Sequence, residues 1–423
     1  MTALVSIAFR NLLRARRRNL LSGGTMALGT AALVLGGGLS DGIARQLTAS
    51  LVAVQTGHLQ VVVRPADFEP QNSPFDAYGH ALLPGAEALA RRIAAEAKDH
   101  GVRRAVPYLY GRGTAIAGNR SSLASIVGIL PSEEPELRAA HPAASGAFLP
   151  TDDPLATYVA APVARKLRLA VGDSVSFVVQ TPQGAVNSID AVVCGVFGKG
   201  APWYDNTFYV PLAAAQSLFD RPGAATNIKM MLADGGRGAA RGARPAVSAI
   251  VGRPEGLEPG ARVRVETFEE AGRFSFSIIQ ANETALAVLS TFLFLAAAVG
   301  IVNSMLMSVH ERTREIGTVR ALGMRRAMVV RLFILEGLAL GVVAAAAGIV
   351  LGAAGVLYYG AHGIPMNTMT LAWVAGGDHL FPVLVPAHVA RAALAIAGLS
   401  TAAAVYPALT ASRLLPREAL HHI

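Results

Sequence analysis

Residues 284–309 read TALAVLSTFLFLAAAVGIVNSMLMSV, with no charged side chain among them. About 20 consecutive apolar residues suffice for a helix to cross the hydrocarbon layer of a bilayer. Three more runs are nearly uncharged: 20–42 (built on LLSGGTMALGTAALVLGGGL), 336–359 (EGLALGVVAAAAGIVLGAAGVLYY) and 392–409 (AALAIAGLSTAAAVYPAL). The pattern predicts an α-helical membrane protein with four transmembrane helices. Composition agrees: 52% of the 423 residues are hydrophobic and 15% charged, against about 25% charged in soluble domains.

The net charge of +9 suits nucleic acid only if it is spread over a surface, and it is not. Basic residues cluster at the span ends: Arg10, Arg14, Arg16, Arg17 and Arg18 before the first, Arg312, Arg314, Arg320, Arg325, Arg326 and Arg331 between the second and third, Arg413 and Arg417 after the fourth. Such clusters stay on the cytoplasmic side. The third-to-fourth connection, from Ala361 to Ala390, has no Lys or Arg. Both termini are therefore expected inside, residues 43–283 outside, and no nucleic-acid partner. A cleavable signal peptide is the alternative for the first run. Against it, the run exceeds the usual core of about 7–15 residues, and no small-residue cleavage site follows Gly38.

The outer segment has strand-like runs at His58–Arg64, Ser125–Ile129, Ser174–Gln180, Ile189–Phe197, Phe208–Val210, Ile228–Leu232 and Arg262–Thr267, rich in β-branched residues. Helical patterns fall at Ala86–Lys98, Pro154–Leu169, Leu212–Phe219 and Arg241–Val251, and Gly235–Gly242 reads as a loop. This predicts an α+β extracytoplasmic domain inserted between the first and second transmembrane helices. No catalytic set is visible: HExxH and CxxC are missing, and Cys194 is the single cysteine. It reads as a small buried hydrophobe. Around Lys199, Val193 and Gly200 stand where a phosphate-binding loop needs Gly and Ser or Thr. The chain is read as non-catalytic, with no cofactor or metal of its own.

Two cytoplasmic stretches carry information. Residues 1–19 are expected to form a basic amphipathic helix, with Val5, Phe9, Leu12 and Leu13 opposing Arg10, Arg14 and Arg17, suited to lying on anionic lipid. The connection 310–326 is charged and amphipathic: Ile316, Val319 and Ala321–Leu322 form an apolar stripe flanked by Glu311, Arg312, Arg314, Glu315 and Arg320, and Gly323 ends the helix. In the third span Gly337 and Gly341, then Gly348 and Gly352, lie four apart, letting another helix approach closely. Glu336 at the inner end of that span calls for an interfacial ion pair, with Arg331 a turn away.

The stretch Glu315–Gly323 (EIGTVRALG) resembles the coupling-helix motif of the FtsX-type permease domain, shared by MacB macrolide and peptide exporters, the lipoprotein-releasing LolC/LolE permeases and the division protein FtsX. Tyr406–Pro407–Ala408 with Ser412, Leu414 and Pro416–Leu420 resembles that family's closing motif, although Leu409–Thr410 replaces residues often basic. Ala8–Arg14 is similar to its N-terminus. Ile126–Pro131, Leu167–Val175 and Ala191–Phe197 resemble strands of the Lol branch, with Leu130 where an aspartate is usual. The resemblance implies domains at 43–283 (MacB/Lol-like, periplasmic) and 284–423 (FtsX-type), with 310–326 as coupling helix. It further implies a bacterial inner-membrane permease working as a dimer with a second copy or paralogue. ATP and Mg would be held by a separate cytoplasmic ABC ATPase. Glu315, Gly317, Arg320 and Gly323 would seat in the ATPase groove. The expected work is lipoprotein release, with a periplasmic carrier. Alternatives are MacB-like efflux with an adaptor and FtsX-like signalling to a cell-wall hydrolase.

Overall fold

The computed structural model describes residues 16–65, 68, 81–181, 184–198, 202–252, 254, 256–257, 259–368, 371–372 and 375–414. The amphipathic stretch with Arg10 and Arg14 and the tail after Leu414 lie outside them. The chain divides into two units: residues 1–43, 280–364 and 380–423 form one, and 44–279 with 365–379 the other.

Among the described residues, the helical unit draws on four helices long and apolar enough to cross a membrane: Arg16–Ser50, Arg273–Glu311, Arg326–His362 and Pro386–Arg413. Each runs past the apolar segment that predicts it, because backbone hydrogen bonding continues into the polar flanks. Met26, Ala297, Ile301, Met305, Leu340, Ala344, Ile396 and Ala404 form its core. Phe292, Val299, Val350 and Leu357 are 63–70% exposed, an outward apolar surface suited to hydrocarbon rather than water. The paired glycines set the close approaches. A Cβ on Gly337 would lie 2.6 Å from Ala404 Cβ, and one on Gly341 2.7 Å from Ser400 Cβ. One on Gly352 would lie 2.8 Å from Val34 Cβ, and one on Gly348 2.5 Å from Thr30 Cβ. One glycine pair thus packs on the fourth helix and the other on the first.

The second unit is α+β. Its described strands are β1 (Leu59–Arg64), β2 (Val102–Ala117), β3 (Arg120–Ile129), β4 (Ala143–Gly146), β5 (Ala156–Ala160), β6 (Ser174–Gln180), β7 (Val186–Phe197), β8 (Thr207–Pro211), β9 (Asn227–Leu232) and β10 (Arg262–Thr267). Strands β10, β1, β9 and β2 lie side by side, antiparallel. The far half of β2 pairs with β3, and β8, β5, β7 and β6 follow until β6 returns to β2. Six strands thereby close into a barrel, which leaves no edge. Its core is aromatic: Phe177 meets Phe208 edge to face at 5.0 Å, and Tyr158, Phe197 and Tyr209 are fully buried beside them.

The helices Ala86–Glu96 and Arg237–Val251 cover one face of the four-stranded sheet through Leu89, Ile93, Ala243 and Val247. The opposite face is buried yet polar. Arg64 donates to Glu266 at 2.8 Å, Asn227 to Gln60 at 3.3 Å, and Lys229 to Glu134 at 2.6 Å. Lys229 also donates to Tyr108 Oη at 2.7 Å and to Ala53 O at 3.0 Å. Ala53 lies in a π-helical turn, Leu51–Thr56. Gly57 follows it with φ +64°, and a Cβ there would lie 2.9 Å from Met230 N, so only glycine lets the chain enter β1 this close to β9.

Several expectations for this unit need correction. The helix expected over Pro154–Leu169 is strand β5 followed by a helix at Ala161–Leu167: Thr157, Tyr158 and Val159 are β-formers, buried between β7 and β8. The expected loop Gly235–Gly242 is helical from Arg237, because Ala240 is buried and Arg237 and Arg241 reach Glu269 at 2.9 and 2.8 Å. Strands β2, β4 and β5 lie outside the strand-like runs of the sequence. Cys194 is half-buried, its Sγ 3.2 Å from Thr157 O, and burial pushes its thiol up to about 11.

Candidate functional site

The connection between the second and third long helices folds into a short helix, Thr313–Ala321. The preceding helix loosens at Arg312 (φ −109°) without losing its hydrogen bonds: Arg312 N donates to Ser308 O and Ile316 N to Arg312 O. Thr313 Oγ1 donates back to Val309 O at 3.0 Å, which bends the chain there. The far end is capped by Gly323 at φ +98°. Gly323 N donates to Arg320 O at 3.0 Å and Met324 N to Val319 O at 3.2 Å, the paired bonds of a Schellman cap. The third long helix starts two residues later, with Arg325 as its N-cap.

Two arginines tether the short helix. Arg312 Nη1 lies 3.4 Å from both oxygens of Glu336, and both side chains are largely buried. Glu336 thus pairs with Arg312, whereas sequence proximity pointed to Arg331. Arg320 Nη1 donates to Ser412 O at 3.1 Å and also to Leu414 O, taking up carbonyls at the end of the fourth helix, where a cation is favoured. Ile316 packs against Val309, Val329, Phe333, Ala408 and Ala411, and Gly317 is buried.

What remains outward is a different stripe from the one the sequence suggests. Ile316 turns in, while Val319 is 39% and Leu322 84% exposed. Glu311, Arg314, Glu315, Thr318, Gly323, Arg325 and Arg326 are also exposed. Of the four residues expected in a partner's groove, Glu315 and Gly323 lie on the open surface, and Gly317 and Arg320 are turned to the chain itself. The carbonyls of Ser412 and Leu414 carry no residue-type signal and had no means of being found in the sequence. Among the described residues no group of His, Cys, Asp or Glu is arranged to hold a metal ion.

Residues 20–243 match the model of the MacB-like periplasmic core domain. This chain belongs to the MacB/FtsX permease family. The model of the FtsX-like permease C-terminal region matches residues 287–416, which include the short helix and its tethers. Among relatives, the macrolide export ATP-binding/permease protein MacB of Rhodopirellula baltica is 29% identical over 186 residues, 43% of this chain and 24% of MacB. The lipoprotein-releasing system transmembrane protein LolC of Neisseria meningitidis is 25% identical over 344 residues, 76% of this chain and 79% of LolC. The permease thus spans about a quarter of the MacB relative but most of the LolC one.

Proposed function

We propose that this permease is the transmembrane subunit of an ABC transporter whose ATPase is a separate chain, and that it uses ATP binding and hydrolysis there to do mechanical work on its outer α+β domain. The observation carrying this reading is the short helix. Two arginines and a glycine cap hold it to the inner ends of three apolar helices, while an exposed apolar residue, Leu322, stands among charges. A rigid helix presenting such a stripe is built for a groove in a partner. ATP and Mg would bind the partner, with both termini and this helix cytoplasmic and the large domain periplasmic in a bacterial inner membrane. Arg10, Arg14 and Arg17 would lie on lipid, and a second permease copy or paralogue would complete a dimer.

Lipoprotein release is the reading we favour for the work performed, because the resemblance to LolC extends over most of both chains. MacB-like efflux with a periplasmic adaptor is the second reading, supported by 37% identity over 129 residues to the macrolide export protein MacB of Brucella abortus. FtsX-like signalling to a hydrolase remains as the non-transport form of the same mechanism. The test is co-purification: the intact permease should bring down an ATPase, and Leu322→Glu with Val319→Glu should release it while the permease stays folded. An ATPase that stays bound to the double variant overturns the docking assignment. Depletion that leaves lipoproteins in the inner membrane supports release, and normal lipoprotein sorting would refute it.

A further inference from the structure

The helical unit holds a cavity of about 500 Å³ between its first, second and fourth helices, within the range of about 300–1,000 Å³ typical of small-molecule sites. Its two ends differ in chemistry. Leu286, Leu293 and Phe294 line one part, and Asp41, Glu283, His388 and Arg391 line the other. From Ala32 to Asp41 the first helix rises roughly 13 Å along the wall.

The polar end is not self-satisfied. Arg391 Nη2 lies 2.8 Å from His388 Nδ1 and 3.4 Å from its Nε2, and a guanidinium can only donate. Arg391 Nε is taken up by Ala387 O at 3.3 Å. His388 Nε2 stands 2.8 Å from Asp41 Oδ2, but off the hydrogen-bonding line. That buried carboxylate oxygen has no hydrogen-bond donor among the described residues. Glu283, exposed at the rim, makes no ion pair among the described residues either. Two carboxylates thus face one arginine that is already engaged, and a buried acceptor lacks a donor, a costly state unless something fills it.

We propose that this cleft binds a hydrophobic ammonium: a protonated primary amine donating to Asp41 and attracted by Glu283, with its apolar body along Leu286, Leu293 and Phe294. An anionic amphiphile would meet the two carboxylates, and a quaternary ammonium would bring no N–H. The amine has two sources, a free amphiphilic amine or the ethanolamine headgroup of a phospholipid. The proposal does not rest on the ATPase partner, so Leu322→Glu should leave amine binding unchanged.

The test uses the full chain in phosphatidylcholine nanodiscs, whose headgroups lack N–H donors, titrated with dodecylamine. Dodecylamine should bind saturably, and dodecanoate and dodecyltrimethylammonium should compete at least about tenfold more weakly, the factor expected for one charge-assisted hydrogen bond. Asp41→Asn should weaken dodecylamine by about tenfold or more, Glu283→Gln by a few-fold, and Ala395→Trp, which fills the cleft, should abolish binding. Weaker dodecylamine binding in phosphatidylethanolamine discs assigns the site to the lipid, and equal binding in both assigns it to a free amine. Dodecanoate binding as well as dodecylamine overturns the proposal, as does full affinity in a folded Asp41→Asn. Should Asp41→Asn not fold, unchanged affinity in Glu283→Gln, an exposed position, overturns it instead.

Discussion

Replacing Lys229 by Met should destabilise the α+β domain more than any loss of packing explains, because it strands a charge. Lys229 is 1% exposed and Glu134 fully buried at side-chain level, 2.6 Å apart. All three ammonium hydrogens are engaged, by Glu134, Tyr108 Oη and Ala53 O. The methionine keeps most of the stem but leaves the Glu134 carboxylate without its cation. Breaking a buried pair from one side costs about 3–5 kcal/mol. For a domain of this size each kcal/mol is worth about 2–4 °C, so the unfolding midpoint should fall by roughly 6–20 °C. The double variant Lys229→Met/Glu134→Leu removes both charges, and such replacements are often neutral or stabilising by about 1–4 kcal/mol. It should therefore recover most of the loss. Thermal unfolding of the full chain, followed by near-ultraviolet dichroism of the aromatic barrel, reads both. Hydrogen exchange over Leu51–Thr56 adds a local readout, since the bond to Ala53 O is lost in both variants and that turn should stay less protected even in the recovered double variant. A single variant within about 1 kcal/mol of wild type would refute the burial argument. A double variant as unstable as the single would show that the loss came from the π-turn contact and not from the orphaned carboxylate.

Burial holds His141 down to about 3, against an ordinary 6.5, its ring stacked 4.6 Å from Phe197. The unfolded chain then binds the extra proton between those values. The stabilisation is complete above pH 6.5 and is lost as pH falls toward 3, at up to about 1.4 kcal/mol per pH unit. His141→Phe should flatten the dependence of unfolding free energy between pH 6 and 4, and an unchanged slope would assign acid sensitivity elsewhere. Gly341→Leu should overpack the third helix on Ser400 and cost about 1–3 kcal/mol, whereas Gly300→Leu, with open space around it, should be tolerated; limited proteolysis in detergent separates them. Gly323→Ala places a side chain at φ +98° and should lose about 1–2 kcal/mol locally, with Asn recovering part. Faster exchange at Thr313–Ala321 alone would show it.

The four long helices and the α+β insertion could be read from the chain because hydropathy and strand periodicity are local. Ser174–Gln180 is a β-branched-rich run whose strand has the same bounds, with burial alternating along it. The paired glycines of the third span likewise announce close packing by spacing alone, although only the structure shows that Gly337 and Gly341 meet the fourth helix and Gly348 and Gly352 the first. Strand β2 escaped notice because Pro107, Gly111 and Gly113 interrupt any local preference. It exists because β9, β3 and β6 supply its hydrogen bonds from distant sequence. Tertiary structure likewise paired Glu336 with Arg312, turned Ile316 inward and Leu322 outward, and brought Lys229 to Glu134 across 95 positions of sequence. A charged residue states that it needs a partner. Which one it finds depends on where the backbone carries both, and that is settled only when the elements pack.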